Sequence, residues 1–226
     1  MEGVLGRMIS GSIFNQGNAM DHGRSWTFRW TTAALAWLLT IVAGLGVLHG
    51  YESTPGAVGR VSPDWPEGSS LWREEGKLNL LMFAHPRCPC TEASLKELGL
   101  IVDQYEGALA TRVVFFQPER ADAGWKGNES RRRVGLMKGV KMVDDVEGKE
   151  AARFGAETSG HVMLYDKASR LIFSGGITGA RGRIGDNPGA RAVIAHLMGN
   201  SNERAGSPTF GCLIREEARD DRVLTP

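Results

Sequence analysis

An uncharged apolar run, WTTAALAWLLTIVAGLGVL, extends from Trp30 to Leu48 and must be kept away from water. As a helix that rises about 1.5 Å per residue, it would extend about 28 Å, close to the thickness of a bilayer's hydrocarbon core. Trp26 and Tyr51 lie near its two ends, where aromatic side chains favour the membrane interface. We therefore predict one transmembrane anchor over residues 30–49.

Basic residues are distributed unevenly around this run. Arg7, Arg24 and Arg29 precede it, whereas Arg60 alone follows it closely. Because Lys and Arg accumulate on the cytoplasmic side of membrane proteins, we predict a cytoplasmic tail over residues 1–29 and an exported remainder. A cleaved signal peptide is the alternative, but its apolar run would be shorter and would precede a small-residue cleavage site.

The charge balance of the chain bears on its partners. The 27 Lys and Arg residues nearly cancel the 26 Asp and Glu residues, so the chain has no general attraction for nucleic acid. We therefore expect the membrane and another protein as partners, and no nucleic acid. A hydrophobic content of 42% is typical of a globular domain.

The exported part divides into three predicted regions. Residues 50–70 are rich in Pro, Gly and Ser and are predicted to be a linker. Residues 71–200 alternate between apolar runs and helical periodicity and are predicted to form the domain. Residues 201–226 are predicted to be a C-terminal tail that carries Cys212.

The alternation within residues 71–200 predicts a β-α-β-α-β-α-β-β-α order. The predicted strands are Leu78–Ala84, Thr111–Phe116, Val140–Val143, Val162–Tyr165 and Leu171–Ser174. The predicted helices are Thr91–Tyr105, Ser130–Lys138, Gly148–Phe154 and Ala190–Met198. This order predicts an α/β fold, in which a mixed sheet is covered by helices on both faces.

Two cysteines lie where the first strand ends and the first helix begins, in the segment His85-Pro-Arg-Cys88-Pro-Cys90. The N-terminus of a helix carries unsatisfied N–H groups and partial positive charge, which favour a thiolate over a thiol. A lowered thiol pKa is what a redox nucleophile requires near neutral pH. The position of the pair therefore indicates thiol chemistry.

This segment resembles the thioredoxin superfamily, and in particular its membrane-anchored, bacterial RedB-type branch. The residues that carry the resemblance are a strand ending in FAHP, the CPCT that follows, and the stretches TSGHVMLYD (158–166), FSGGITGARGRIGDN (173–187) and PTFGC (208–212). The resemblance covers about residues 70–215. It implies a thioredoxin-like fold and thiol–disulfide exchange outside the bacterial inner membrane, in the periplasm or beyond, with a redox partner protein and no cofactor.

Two features differ from thioredoxins. One residue, rather than two, separates Cys88 from Cys90, so a disulfide between them would close a tighter and more oxidising ring. The position that corresponds to the thioredoxin cis-proline falls near Gly160 and His161 and holds no proline. The sequence therefore leaves two questions open: whether the protein acts as an ordinary reductase, and whether metal ions are excluded from its thiols.

The resemblance assigns roles to the cysteines. Cys88 would be the attacking thiolate, Cys90 the near resolving thiol, and His85 a partner that tunes the pKa of Cys88. Cys212 has two interpretations, a second resolving thiol or a buried, inert cysteine. Arg181 and Arg183 lie in a glycine-rich loop, which the thioredoxin topology returns to the cysteine side, where they would raise the positive potential or hold an acidic group.

Two other functions remain open at the sequence level. The spacing of His85, Cys88 and Cys90, completed by His161 or Cys212, would suit copper(I) or zinc, in a metal-binding or metal-delivery protein. Alternatively, the domain is a non-catalytic interaction module of the envelope. Whether the chain is an enzyme is therefore not decided by its residues.

Overall fold

The computed structural model describes residues 19–105, 107–121, 123–200 and 205–215. Residues 1–18 of the predicted cytoplasmic tail, and residues 201–204 and 216–226 of the predicted C-terminal tail, lie outside the described residues. The chain divides into two units, of which the first ends at His49 and the second begins at Gly50.

The first unit contains most of a single long helix, α1 (Ala19–Ser53). Its stretch Trp26–Ser53 is long and apolar enough to cross a membrane. Large apolar side chains such as Trp37 and Leu39 are more than two-thirds exposed along it, as expected where lipid is the solvent. The helix extends beyond the predicted residues 30–49 because polar residues at both ends of the apolar run continue it.

The second unit is built on a six-stranded mixed sheet. Its strands are β1 (Leu78–Ala84), β2 (Leu109–Gln117), β3 (Val140–Val146), β4 (His161–Tyr165), β5 (Leu171–Gly176) and β6 (Gly206–Ser207), in the spatial order β3-β2-β1-β4-β5-β6. β1, β2 and β3 are parallel, whereas β4 runs antiparallel to β1, and β5 antiparallel to β4. The predicted mixed sheet is confirmed.

Helices cover both faces of this sheet, as predicted. They are α2 (Cys90–Gln104), α3 (Ala123–Lys126), α4 (Glu129–Leu136), α5 (Lys149–Phe154) and α6 (Pro188–Leu197). Residues of α2, α4 and α6 pack on one face and residues of α5 on the other. The central strand β1 is buried on both sides, with Leu80 and Met82 facing α2 and Leu81 and Phe83 facing α5. This burial explains the apolar run over residues 80–84 of the strand.

The segment predicted to be a linker, residues 50–70, packs on the domain along much of its length. The Trp65 ring meets the rings of Phe154 and Tyr165 edge to face, with centroids 5.3 and 5.2 Å apart. The backbone carbonyl of Pro63 accepts a hydrogen bond from the Leu171 N–H at 2.7 Å. Composition indicated a linker because Pro, Gly and Ser outnumber the few apolar side chains, but those apolar side chains complete the α5 face of the core.

Candidate active site

The two neighbouring cysteines lie where β1 leads into α2, with Cys88 in the connecting turn and Cys90 at the first position of the helix. The Cys88 N–H donates to the His85 carbonyl at 3.1 Å, and the Thr91 N–H donates to the Cys88 carbonyl at 3.1 Å. The helix begins at Cys90, with no side chain capping its N-terminus. Both thiols are buried, Cys88 with 4% and Cys90 with 7% of its surface exposed. The N–H groups of Cys90 and Thr91, in the first turn of α2, also reach the sulfur of Cys88.

A hydroxyl network fixes this turn against the residues before β4. The Ser159 Oγ accepts from the His85 N–H at 2.8 Å and lies 2.9 Å from the Thr91 Oγ1. The Thr91 hydroxyl donates to the His85 carbonyl at 3.0 Å, so the Ser159 hydroxyl is left to donate to Thr91. Sequence reasoning did not single out Ser159 or Thr91, because a buried hydroxyl reveals its role only through its tertiary partners.

Cys212 is brought to the same place by antiparallel pairing of distant segments. The Ser159 N–H donates to the Cys212 carbonyl at 2.8 Å, and the Ile214 N–H donates to the Glu157 carbonyl at 2.8 Å. The side chain of Ile214 is buried in the α5 face of the core, which anchors the segment. The Cys212 thiol is half-buried and hydrogen-bonded to the sulfur of Cys88. The structure therefore brings Cys88 and Cys212 into contact from positions far apart in the sequence.

The three thiols differ in acidity. Burial by itself raises the pKa of Cys88, but hydrogen bonds from the backbone and thiol of Cys212 and from the N–H groups of Cys90 and Thr91 lower it below its ordinary value. Burial and the charge of Cys88 raise the pKa of Cys90. Burial and the same contact with Cys88 raise the pKa of Cys212 to about 12. Cys88 is therefore the thiol most easily ionised.

The two arginines of the glycine-rich loop differ in position. Arg181 donates to the Gly211 carbonyl and to the sulfur of Cys90, and it partly offsets the rise in the pKa of that thiol. Arg183 is exposed, and within the described residues no contact joins it to a cysteine. Of the two arginines, Arg181 thus lies beside the cysteines and Arg183 faces solvent.

A cavity of about 460 Å³ opens beside Cys88. Its lining residues are His85, Arg87, Cys88, Phe116, Pro118, Trp125, Cys212 and Leu213. The His85 ring stacks on Phe116 at 5.4 Å and meets Trp125 edge to face at 5.3 Å, and its Nδ1 accepts from the Arg87 N–H at 3.2 Å. Sequence reasoning missed Trp125, because α3 is too short to show a helical period.

His161 does not lie on the loop predicted to face the cysteines. It is the first residue of β4, paired in register with Phe83 of β1, and only 4% of its surface is exposed. Its Nε2 lies 2.7 Å from the Ser174 Oγ of β5. Burial lowers its pKa to about 4. β4 starts one residue earlier than predicted, at His161 itself. His161 therefore belongs to the sheet and not to the preceding loop.

Replacing His161 by asparagine is expected to remove one cause of acid instability. As the pH falls below 6.5, the unfolded chain binds a proton at His161 that the folded chain excludes until about pH 4. The gap between those values corresponds to about 3 kcal/mol of the free energy of unfolding, lost on acidification of the wild type. Urea unfolding at pH 7, 5.5 and 4 measures this loss in both proteins. Equal losses in the two would contradict the assignment.

The structure bears on the metal alternative as well. Among the described residues, no group of three or more His, Cys, Asp and Glu side chains is arranged to hold a metal ion. The His85 ring is packed between Phe116 and Trp125, and the His161 ring bonds within the sheet. The ligand set that the sequence offered, His85, Cys88 and Cys90 with His161 or Cys212, is therefore not assembled as a set.

Comparison with known proteins adds to this picture. No family model matches the sequence, and no curated protein matches it. The chain is similar to an uncharacterized conserved protein from Geobacillus kaustophilus, with a TM-score of 0.54, 14% identity, and coverage of 74% of this chain and 96% of that one. It is similar to a hypothetical protein from Sinorhizobium meliloti, with a TM-score of 0.51, 26% identity and coverage of 74% and 98%. These two share the fold of the second unit.

A third solved structure is of a protein named for a redox function. It is a putative thiol:disulfide interchange protein DsbE from Chlorobium tepidum, to which this chain is similar with a TM-score of 0.40, 14% identity and coverage of 64% of this chain and 97% of that one.

Proposed function

We propose that this protein is a membrane-anchored thiol–disulfide exchange protein of the RedB type, with its domain outside the cytoplasm. The observation that carries the proposal is the environment of Cys88. Its sulfur receives hydrogen bonds from the first turn of α2 and from Cys212, and they lower its pKa while the pKa of each neighbouring thiol is raised. One thiol of the three is thus the most readily ionised, and it is the one best prepared to attack a disulfide.

The proposed reaction has two exchanges. The Cys88 thiolate attacks one sulfur of a substrate disulfide, a bond forms between those two sulfurs, and the other substrate sulfur leaves and takes a proton from water. Cys90 or Cys212 then loses its proton and attacks the sulfur of Cys88, which releases the remaining substrate sulfur as a thiol. The substrate has gained two electrons and two protons. The protein keeps one disulfide, which a dithiol partner protein reduces.

The other predicted site residues have secondary roles in this proposal. His85 lines the same cavity as Cys88 and is proposed to tune it from there. Arg181 holds the segment of Cys212 through the Gly211 carbonyl and stabilises negative charge on Cys90. No role is proposed for His161 beyond the stability of the sheet.

The anchor and its orientation rest on the apolar helix and the charges around it. The stretch Trp26–Ser53 has the length and composition of a membrane span. The bias of Arg7, Arg24 and Arg29 toward its N-terminal side supports a domain on the outer face of a bacterial inner membrane. There, cysteine pairs are oxidised unless a dedicated partner reduces them, which suits a thiol–disulfide exchange protein.

The ionisation of Cys88 can be tested by site-resolved alkylation. In the full chain in detergent, iodoacetamide is expected to reach its maximal rate at Cys88 at a lower pH than at Cys90 or Cys212, because the thiolate is the reacting form. Mass spectrometry of the three peptides measures each rate. Urea-unfolded protein is the control, and there the three profiles should coincide.

Two outcomes would contradict the proposal. One is identical pH profiles for the three thiols in the folded protein. The other is stoichiometric copper or zinc in protein purified from its own membrane and absent from Cys88→Ser, which would favour metal delivery instead.

A further inference from the structure

The cavity beside Cys88 has an aromatic wall built from three separate parts of the chain. Phe116 comes from the end of β2, Trp125 from α3, and His85 from the turn after β1. Phe116 and Trp125 meet edge to face with ring centroids 5.8 Å apart, and His85 contacts both rings. Each ring is thus held by the other two, and the wall is formed before anything enters the cavity.

Arg87, which lines the cavity, carries a permanent positive charge. The Arg87 guanidinium lies 4.3 Å from the centroid of the Trp125 ring, on the wall itself. Pro118 and Leu213 complete the lining with apolar surface. The space beside Cys88 therefore favours an apolar or aromatic group and disfavours a second cation.

We infer that this cavity is a specificity subsite for an aromatic side chain next to the cysteine of a disulfide-bonded polypeptide. The inference rests on the proposed function. Cys88 and Cys212 line the same cavity as the aromatic wall, so a group that fills it must be joined closely to the sulfur that Cys88 attacks. The residue adjacent to a substrate's cysteine meets this condition. A volume of about 460 Å³ lies within the range of about 300–1,000 Å³ found for ligand sites.

The test uses three disulfide-bonded peptides that differ only in the residue next to one cysteine: phenylalanine, alanine or lysine. The full chain reduces each with dithiothreitol as the regenerating reductant, and kcat/KM is compared. The phenylalanine peptide is expected to exceed the alanine peptide by about tenfold or more, the scale on which an apolar pocket discriminates. The lysine peptide is expected to fall below the alanine peptide because of Arg87.

Two variants connect that preference to the wall. Trp125→Ala is expected to bring the phenylalanine-to-alanine ratio of kcat/KM close to one, and the ratio is the readout because it does not depend on the overall activity of the variant. Arg87→Gln is expected to raise the lysine peptide toward the alanine peptide. Trp72→Ala is the matched control, because Trp72 lies over Arg112 and Lys141 and not in this cavity. That variant should keep the wild-type ratios.

The outcomes separate the subsite from the reaction. Equal reduction of the three peptides by the wild type, or a preference for phenylalanine that survives in Trp125→Ala, would overturn the subsite and leave thiol–disulfide exchange standing. Failure to reduce any peptide would overturn the proposed function and the subsite with it.

Discussion

Replacing Cys88 by serine is expected to lower the rate of disulfide reduction by at least about 10³-fold. A serine hydroxyl does not ionise near neutral pH and cannot form a disulfide, so the first exchange has no nucleophile. The measurement is the reduction of a disulfide-bonded peptide by the full chain, after subtraction of the rate with dithiothreitol alone. The substitution replaces one small atom, so the urea unfolding midpoint should change little.

The neighbouring thiol supplies the control for this result. Cys90→Ser keeps Cys88 at the start of α2, so a single turnover should still release one thiol from the peptide. Loss of that first thiol in Cys90→Ser, together with its retention in Cys88→Ser, would show that the nucleophile is Cys90. The raised pKa of Cys90 and the lowered pKa of Cys88 make this the less favoured assignment.

The central part of the fold could be predicted because its signals are local. Residues 80–84 of β1 are all apolar, as expected of a strand buried on both faces, and α2 has apolar residues at helical spacing. The cysteine pair followed from these two elements, since it lies between them in the sequence. Elements that are short, such as α3 and β6, give too few residues for a period to appear.

The rest of the site depends on contacts between residues far apart in the chain. Cys212 reaches Cys88 because residues 212–214 pair with residues 157–159. The sequence does not show that pairing, and for this reason it left two interpretations of Cys212. Trp65 joins the core from a segment whose composition is that of a linker. The predicted place of His161 was wrong because β4 begins one residue earlier than predicted. Each of these results from tertiary packing, which overrides local composition.

Replacing Cys212 by serine is expected to lower steady-state turnover by about a hundredfold when the regenerating reductant is scarce. Cys212 approaches the sulfur of Cys88 from a separate segment, whereas Cys90 would have to close a ring across a single proline. Without Cys212, the covalent adduct between Cys88 and the peptide should accumulate, and intact-mass spectrometry of the acid-quenched protein measures it. Cys90→Ser should accumulate less. The opposite order would make Cys90 the main resolving thiol.

The high pKa of Cys212 fits this role because part of its cause is removed during the reaction. Apart from burial, the causes that raise it are the hydrogen bond to Cys88 and the charges of Cys88 and Cys90. When Cys88 is joined to the substrate, its sulfur is neutral and no longer raises the pKa of Cys212. Arg181 still lowers that pKa. Cys212 therefore becomes more acidic at the step where a second thiolate is needed. In Cys88→Ser, its alkylation profile should accordingly move to lower pH, and an unchanged profile would argue against this coupling.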